Sequence, residues 1–226
     1  MDYDKNMEFL LEIKRNLLEP EDSFEFGCKS CGECCRNRAK SNNQILITAV
    51  DLFNIAKELD MSTEDAMMKF TECLPGPDSK LPLLYLTERL DGSCRLLRKG
   101  KCMVHKSKPV VCRVYPLGRG STGKEFFYFK QDGCKGDGQT VKLKDYIEQF
   151  NLTALDDACM LWSKLTIAAT LYMQKLGGKS QTVKEFYEDC FYSFYVGYDM
   201  EKSVEDNLTE RIAYLESKYH KFKVAL

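Results

Sequence analysis

The sequence CKSCGECC, residues 28–35, places four cysteines within one short stretch, and three of them are separated by two-residue gaps. A C-x-x-C turn brings two thiolates to the same side of a tight loop, and a third cysteine at the same interval adds a ligand without long-range folding. Adjacent Cys34 and Cys35 do not easily aim at one small ion from the same direction. The stretch therefore predicts a loop shaped by metal ligands, in which these two cysteines belong to two sites or one of them is spare.

The composition decides how the eleven cysteines of this 226-residue chain are interpreted. Hydrophobic residues make up 44% and charged residues 30%, and the formal net charge is −1, which gives no overall attraction to nucleic acid or to anionic membranes. There is no apolar run of the roughly 18 residues that a membrane span needs, and no apolar signal-peptide core near Met1. We therefore expect a cytoplasmic protein, where closely spaced cysteines act as metal ligands or catalytic thiols more often than as disulfides.

A second group of cysteines is spread along the chain, and each member follows turn-forming residues that free the backbone to orient a ligand. This group contains Cys94, Cys102, Cys112 and Cys134. Four local and four distant cysteines supply two tetrahedral sites, or one cluster and one ion. His105 is an alternative ligand, although an ordinary loop histidine is the better interpretation because cysteines already suffice for a soft metal.

Basic residues surround both groups of cysteines. Eight lysines and arginines and no carboxylates lie between Cys94 and Gly120, and four more basic residues against Glu33 alone lie near the first run. Nearby cations lower the pKa of thiols and offset the negative charge of four-cysteine sites. The alternatives are a solvated basic surface and a site for an anionic substrate or nucleic acid. Because no nucleic-acid recognition motif is present, we expect no nucleic-acid partner.

The pattern along the chain predicts an α+β fold that is mostly α. A helix in residues 1–24 precedes an irregular, metal-stabilised cysteine module with a few short strands at residues 25–137, and a helical region at 138–226 packs on it. Thr48 with Asp51 forms a capping box that opens one helix. A second helix, which begins after Ser62, is expected to reach about Cys73, and residues 118–123 are expected to form a glycine-rich loop. Late helices are predicted near residues 141–150, 154–176, 181–196 and 203–221.

The remaining cysteines, Cys73, Cys159 and Cys190, lie among apolar residues in predicted helices. Buried free cysteines are common in protein cores, so these three are interpreted as structural. Trp162 and the aromatic residues between Phe186 and Tyr198 are expected to pack in the core of the helical region.

The ordered cysteines resemble those of a known family. The C-x-x-C-x-x-C-C run, Cys94, Cys102, the segment Lys108-Pro109-x-x-Cys112-Arg113-x-Tyr115-Pro116 and Cys134 are similar to the YkgJ-type cysteine cluster proteins, whose shared segment is a zinc- or iron-chelating domain. The resemblance covers roughly residues 28–134. Lys108 departs from the family's usual arginine, which keeps the charge but loses a planar hydrogen-bonding fork. The family often has an aromatic residue where this chain has His105, which weakens His105 as a ligand.

The resemblance implies metal binding. We therefore expect a metal-binding protein that holds a [4Fe–4S] cluster or Zn²⁺ through eight cysteines, Cys28, Cys31, Cys34, Cys35, Cys94, Cys102, Cys112 and Cys134. The three cysteines at two-residue gaps match cluster loops better than paired zinc knuckles. A similar motif in flagellin lysine-N-methylases, where it is associated with an iron–sulfur cluster, makes a cluster-dependent protein-modifying or redox enzyme one alternative. No glycine-rich loop for S-adenosylmethionine is present. The other alternative is a structural zinc module that binds an unknown protein partner.

Overall fold

The computed structural model describes residues 3–29, 31–36, 44–131, 133–134, 136–178 and 180–225. Its helices are α1 Tyr3–Arg15, α2 Glu33–Arg36, α3 Ala49–Glu58, α4 Thr63–Phe70, α5 Val110–Val114, α6 Leu143–Gln149, α7 Asp156–Leu176, α8 Gln181–Tyr195 and α9 Val204–Lys218. Its strands are β1 Leu17–Leu18, β2 Ser23–Glu25, β3 Leu46–Ile47, β4 Thr71–Pro75, β5 Pro82–Leu86, β6 Leu97–Arg98, β7 Lys101–Cys102, β8 Gly118–Ser121, β9 Phe126–Phe129 and β10 Thr140–Lys142. The fold is α+β and mostly α, with a helical C-terminal region, as predicted. Within the described ranges, no helix has the length and apolar character needed to cross a membrane.

A helical body, which we define as α3, α4, α7, α8 and α9, encloses the larger hydrophobic cluster. Aromatic side chains fill its centre: Phe186, Phe194 and Tyr195 are fully buried, and Trp162 packs edge-on against Phe194 with ring centroids 4.9 Å apart. The three-stranded sheet β3-β5-β4 lies against this body, and the Tyr195 hydroxyl donates to the Pro82 carbonyl across that junction at 3.1 Å. The predicted aromatic core is therefore confirmed for Trp162, Phe186, Phe194, Tyr195 and Tyr198, whereas the prediction is wrong for Tyr192, which is exposed.

The capping signals in the sequence are found at the predicted places. Thr48 accepts a hydrogen bond from the backbone N–H of Asp51, and the Asp51 carboxylate accepts one from the backbone N–H of Thr48, which completes the capping box of α3. Ser62 accepts from the backbone N–H of Asp65 at the start of α4. These bonds satisfy backbone donors that the first helical turn leaves unpaired.

Two sheets of short strands form a second hydrophobic cluster, which surrounds Tyr146 of α6. Strand β9 pairs with β1 on one side and β8 on the other, and β10 pairs with β2. The predicted glycine-rich loop is wrong over its first part, because Gly118 and Gly120 lie in β8. Each is paired with a phenylalanine of β9, and a Cβ atom added at either glycine would lie 2.2 Å from that phenylalanine ring. Glycine is required there for close packing rather than for a loop.

One helix ends earlier than the sequence predicts. Helix α4 stops at Phe70, and Thr71–Pro75 pairs antiparallel with Pro82–Leu86, so that Cys73 lies on a strand. Cys73 is exposed, which contradicts its interpretation as a buried structural cysteine, whereas Cys159 and Cys190 are buried as expected. Long-range strand pairing has replaced the local helical preference here.

Candidate metal centre

The last two cysteines of the CKSCGECC loop lie on the single-turn helix α2, and the loop enters that helix through Gly32. Gly32 has a φ of +76°, and the carbonyl oxygen of Gly100 would lie 3.2 Å from a Cβ atom at this position. Glycine at residue 32 therefore permits both the left-handed turn and the close approach to the hairpin that contains Gly100. On α2, the Sγ atoms of Cys34 and Cys35 are 3.9 Å apart.

Cys94 joins the local run to the distant cysteines. Its backbone N–H donates to the Cys35 carbonyl at 2.7 Å, and its side chain is buried. Hydrogen bonding with the Cys34 thiol, and next with the Cys94 thiol, raises the pKa of Cys35 well above its ordinary value. Three thiols, two from the run and one from a distant part of the chain, thus adjoin one another.

Cys102 extends this group through the hairpin of β6 and β7, where it is paired with Leu97. The two residues of the hairpin turn, Lys99 and Gly100, have φ values of +49° and +77°, which is typical of a tight type I′ turn. Burial raises the pKa of Cys102, and the charge of Cys94 raises it further, whereas Lys108 acts in the opposite direction. Cys102 therefore lies near Cys94, and we call Cys34, Cys35, Cys94 and Cys102 the first cysteine group.

The segments that contain Cys28 and Cys134 are joined by a backbone hydrogen bond in a second region. The carbonyl of Gly27 accepts a hydrogen bond from the Asp137 N–H at 2.9 Å, which aligns the residues before Cys28 with those after Cys134. The Cys134 Sγ accepts from the Gly136 N–H at 3.2 Å, and the Cys134 N–H donates to the Tyr115 hydroxyl at 2.9 Å. These bonds hold the backbone before Cys28 and around Cys134.

Cys112 lies on α5, which is attached to other elements at both ends. At its start, the Val110 N–H donates to the buried Asp51 carboxylate at 2.7 Å. At its end, the Tyr146 hydroxyl donates to the Tyr115 carbonyl at 2.7 Å. Burial, and next the charge of Cys28, raises the pKa of Tyr146. We call Cys28, Cys31, Cys112 and Cys134 the second cysteine group; the described contacts lead from the end of α5 through Tyr146 and Tyr115 to the backbone of Cys134.

Burial and a nearby cation act in opposite directions on one of the thiols. Burial raises the pKa of Cys102, and Lys108 lowers it by a smaller amount. The pKa of Cys35 is raised by its neighbouring thiols and by burial. Ionisation of the thiols then depends on the positive charge of a bound metal, whose binding releases their protons.

The thiols provide the soft donors that zinc and iron–sulfur clusters use. All eleven cysteines lie in the described ranges, and none of them forms a disulfide. Metal–sulfur bonds of about 2.3 Å imply sulfur–sulfur distances of about 3.8 Å in a tetrahedral site, and the Cys34–Cys35 distance of 3.9 Å fits that spacing. Among the described residues, no three side chains of His, Cys, Asp or Glu are arranged to hold an ion. The sulfur pair therefore fits a metal, while a full set of ligands requires further side-chain movement.

His105 is exposed on the surface between Cys102 and Cys112. Partial burial lowers its pKa, and the charge of Lys108 lowers it further. No described hydrogen bond joins His105 to a cysteine, and its assignment as a loop histidine stays a prediction.

Two surface cavities lie away from the cysteine groups. One, of about 410 Å³, lies between β9 and the start of α7, where Tyr128 and Asp156 contribute to its wall. The other, of about 460 Å³, lies beside the start of α8 and includes Met173 and Lys184. None of the eight predicted metal ligands lines either cavity.

Sequence reasoning missed the residues that attach the cysteine-bearing segments to the rest of the fold. Asp51 was identifiable as a helix cap, but its hydrogen bond to Val110 depends on long-range packing. Tyr115 was noted only as part of the family motif, and its hydrogen bond to Cys134 was not predicted. The sequence around Tyr146 predicts only an amphipathic helix and does not indicate its contact with Tyr115.

The comparisons with known proteins agree with the cysteine pattern. The CxxCxxCC family model, described as "Putative zinc- or iron-chelating domain", matches residues 27–135. No curated protein and no solved structure gives a match to the chain. The matched segment contains both cysteine groups and confirms the family resemblance, and residues 27–135 of this chain are therefore similar to the CxxCxxCC domain.

Proposed function

We propose that the chain is a metal-binding protein in which the eight cysteines form two four-thiolate sites, each able to hold zinc or an iron–sulfur cluster. The observation that carries the proposal is the return of Cys94 to the local run, where its N–H donates to the Cys35 carbonyl at 2.7 Å. The family match over residues 27–135 supports metal binding in general. The eight ligands and their assignment to two sites are part of this proposal.

The two sites follow the two cysteine groups. The first uses Cys34, Cys35, Cys94 and Cys102, and the second uses Cys28, Cys31, Cys112 and Cys134. Placing Cys34 and Cys35 in one site departs from the expectation that these neighbours belong to two sites or that one is spare, and it is supported by the 3.9 Å between their Sγ atoms. This division separates the three regularly spaced cysteines of the run, because Cys28 and Cys31 belong to one site and Cys34 to the other. The regular spacing of these cysteines was the argument for one [4Fe–4S] cluster bound by the run. Because the division places them in different sites, two metal sites are the simpler arrangement.

The metal has a structural role in this proposal. No described side chain in residues 27–36 is buried, so hydrophobic packing gives this loop little stability. Metal binding supplies folding free energy directly in segments of this kind. The two described cavities lie away from the eight cysteines.

The test is to measure zinc, iron and acid-labile sulfide per chain after anaerobic purification. We expect Cys94→Ser and Cys134→Ser each to lose the metal of one site, and the double variant to lose both. Cys190→Ser serves as the control for the buried Cys94, and Cys73→Ser for the exposed Cys134. Zinc without sulfide identifies zinc sites, and sulfide in proportion to iron identifies a cluster. A wild-type chain without bound metal would contradict the proposal.

A further inference from the structure

The short helix α5 depends on other elements for its position. It has five residues, and its N-cap residue Pro109 makes no side-chain capping bond. Isolated helices of this length are unstable in water, because nucleation is costly and few hydrogen bonds follow. The location of Cys112 is therefore determined by the contacts at the two ends of α5.

Tyr146 provides the contact at the C-terminal end. Its hydroxyl is 2.7 Å from the carbonyl oxygen of Tyr115, and the carbonyls of Arg113 and Val114 lie 3.2 and 3.3 Å away. The last carbonyls of a helix have no partner within the helix, so a hydroxyl donor at this place caps α5. Tyr146 is itself held rigidly, because its side chain is buried and Phe24 packs edge-on against its ring.

The same tyrosine connects to the other members of the second cysteine group. Tyr115, whose carbonyl Tyr146 contacts, accepts the Cys134 N–H with its own hydroxyl at 2.9 Å. Phe26, two residues before Cys28, also packs edge-on against the Tyr146 ring, with the ring centroids 5.8 Å apart. Contacts from one side chain thus extend toward Cys28, Cys112 and Cys134.

We infer that Tyr146 is a positioning residue for metal binding at the second cysteine group. This inference rests on the proposed function, since it assigns a role in a site that is itself proposed. Residues that orient the ligands without touching the metal contribute strongly to affinity, and their loss weakens binding by about 10- to 100-fold.

The test compares two buried tyrosines that differ in their hydroxyl contacts. Tyr146→Phe removes the hydroxyl that caps α5, whereas Tyr198→Phe removes a buried hydroxyl for which the described structure contains no hydrogen-bond partner. Each reduced, metal-free protein is titrated with Zn²⁺ against a chelator, and the affinity of each equivalent is measured. We expect Tyr146→Phe to weaken one equivalent by about tenfold and leave the other unchanged, and Tyr198→Phe to match the wild type.

The outcomes separate this inference from the proposed function. If the wild type binds two equivalents and Tyr146→Phe binds both as tightly as Tyr198→Phe does, the positioning role is wrong. If the wild type binds none, the proposed function fails first. Should Tyr146→Phe not fold, Phe24→Leu loosens the packing that holds the Tyr146 ring, and weakening of the same equivalent is expected. Unchanged binding in that variant would overturn the inference.

Discussion

The helical body and the cysteine loop, residues 27–36, are stabilised in different ways. Helices α7, α8 and α9 bury a continuous set of aliphatic and aromatic side chains, whereas no described side chain of the cysteine loop is buried. Burial contributes about 25 cal/mol per Å² of apolar surface, so the body gains stability from its own packing. The loop is attached by backbone hydrogen bonds such as that between Cys94 and Cys35. The comparison indicates that hydrophobic burial stabilises the helical body, whereas the loop lacks such burial and, in the proposed function, is stabilised by metal.

The largest expected effect comes from removing metal, which should destabilise the cysteine segments and leave the helical body unchanged. After anaerobic treatment with a chelator, we expect amide hydrogen exchange in the cysteine loop, β6–β7 and α5 to accelerate on the order of 100-fold, equivalent to about 2.8 kcal/mol of local stability. Exchange in α7–α9 should change by less than about threefold. Equal acceleration in both regions would show that the body also depends on metal, and no acceleration would contradict the structural role of the centre.

An intermediate effect on stability is expected when a substitution creates a cavity in the helical body. Phe186 is fully buried and packs edge-on against Tyr219 with ring centroids 4.9 Å apart. Phe186→Ala should lower the free energy of unfolding by about 3–5 kcal/mol, while metal content per folded chain stays unchanged. Denaturant unfolding measures the first quantity and elemental analysis the second. Tyr192→Ala, an exposed aromatic position on the same helix, should cost much less, and a similar cost at both positions would contradict the assigned core.

The smallest effect on stability is expected from removing the exposed ion pairs of Glu21 with Lys142 and Lys144. Hydrogen bonds from Lys144, and next from Lys142, lower the pKa of Glu21 from 4.5 to about 2. A lowered pKa in the folded state stabilises the protein above pH 4.5, and this contribution is lost as the pH falls toward 2. Glu21→Gln should therefore reduce the thermal unfolding midpoint slightly at neutral pH, and its difference from the wild type should disappear across that window.

The control for this prediction is Glu201→Gln, because Glu201 is exposed and forms no ion pair with a described residue. Thermal unfolding is followed for both variants and the wild type at the same series of pH values. A difference for Glu21→Gln that does not depend on pH would contradict the assigned contribution of its ion pairs.

Local signals in the sequence were sufficient for most of the helices. The capping box of Thr48 and Asp51 and the helix breaker at Gly177 act within a few residues, so they could be predicted. The end of α4 could not, because Thr71–Pro75 forms a strand only through pairing with Pro82–Leu86. The glycines of β8 were likewise uninformative until the rings opposite them were known.

The candidate site shows the same limit. The sequence is enough to propose the eight cysteines as metal ligands, because metal-ligand chemistry depends on residue identity and spacing. Their division into two groups could not be predicted, since it depends on the contact of Cys35 with Cys94 and on the environment of Tyr146. Long-range contacts of this kind leave no local pattern in the sequence.

The contact between Cys35 and Cys94 also has a consequence for the order of events during synthesis. The ribosome releases the N-terminal cysteines well before Cys94 and Cys102, so the nascent chain carries an incomplete set of thiols for part of its synthesis. Closing so long a loop carries an entropic penalty that later contacts must offset. Metal captured early would have only the thiols of the run as ligands, and the proposed two-site arrangement would then require ligand exchange once the later segments are present.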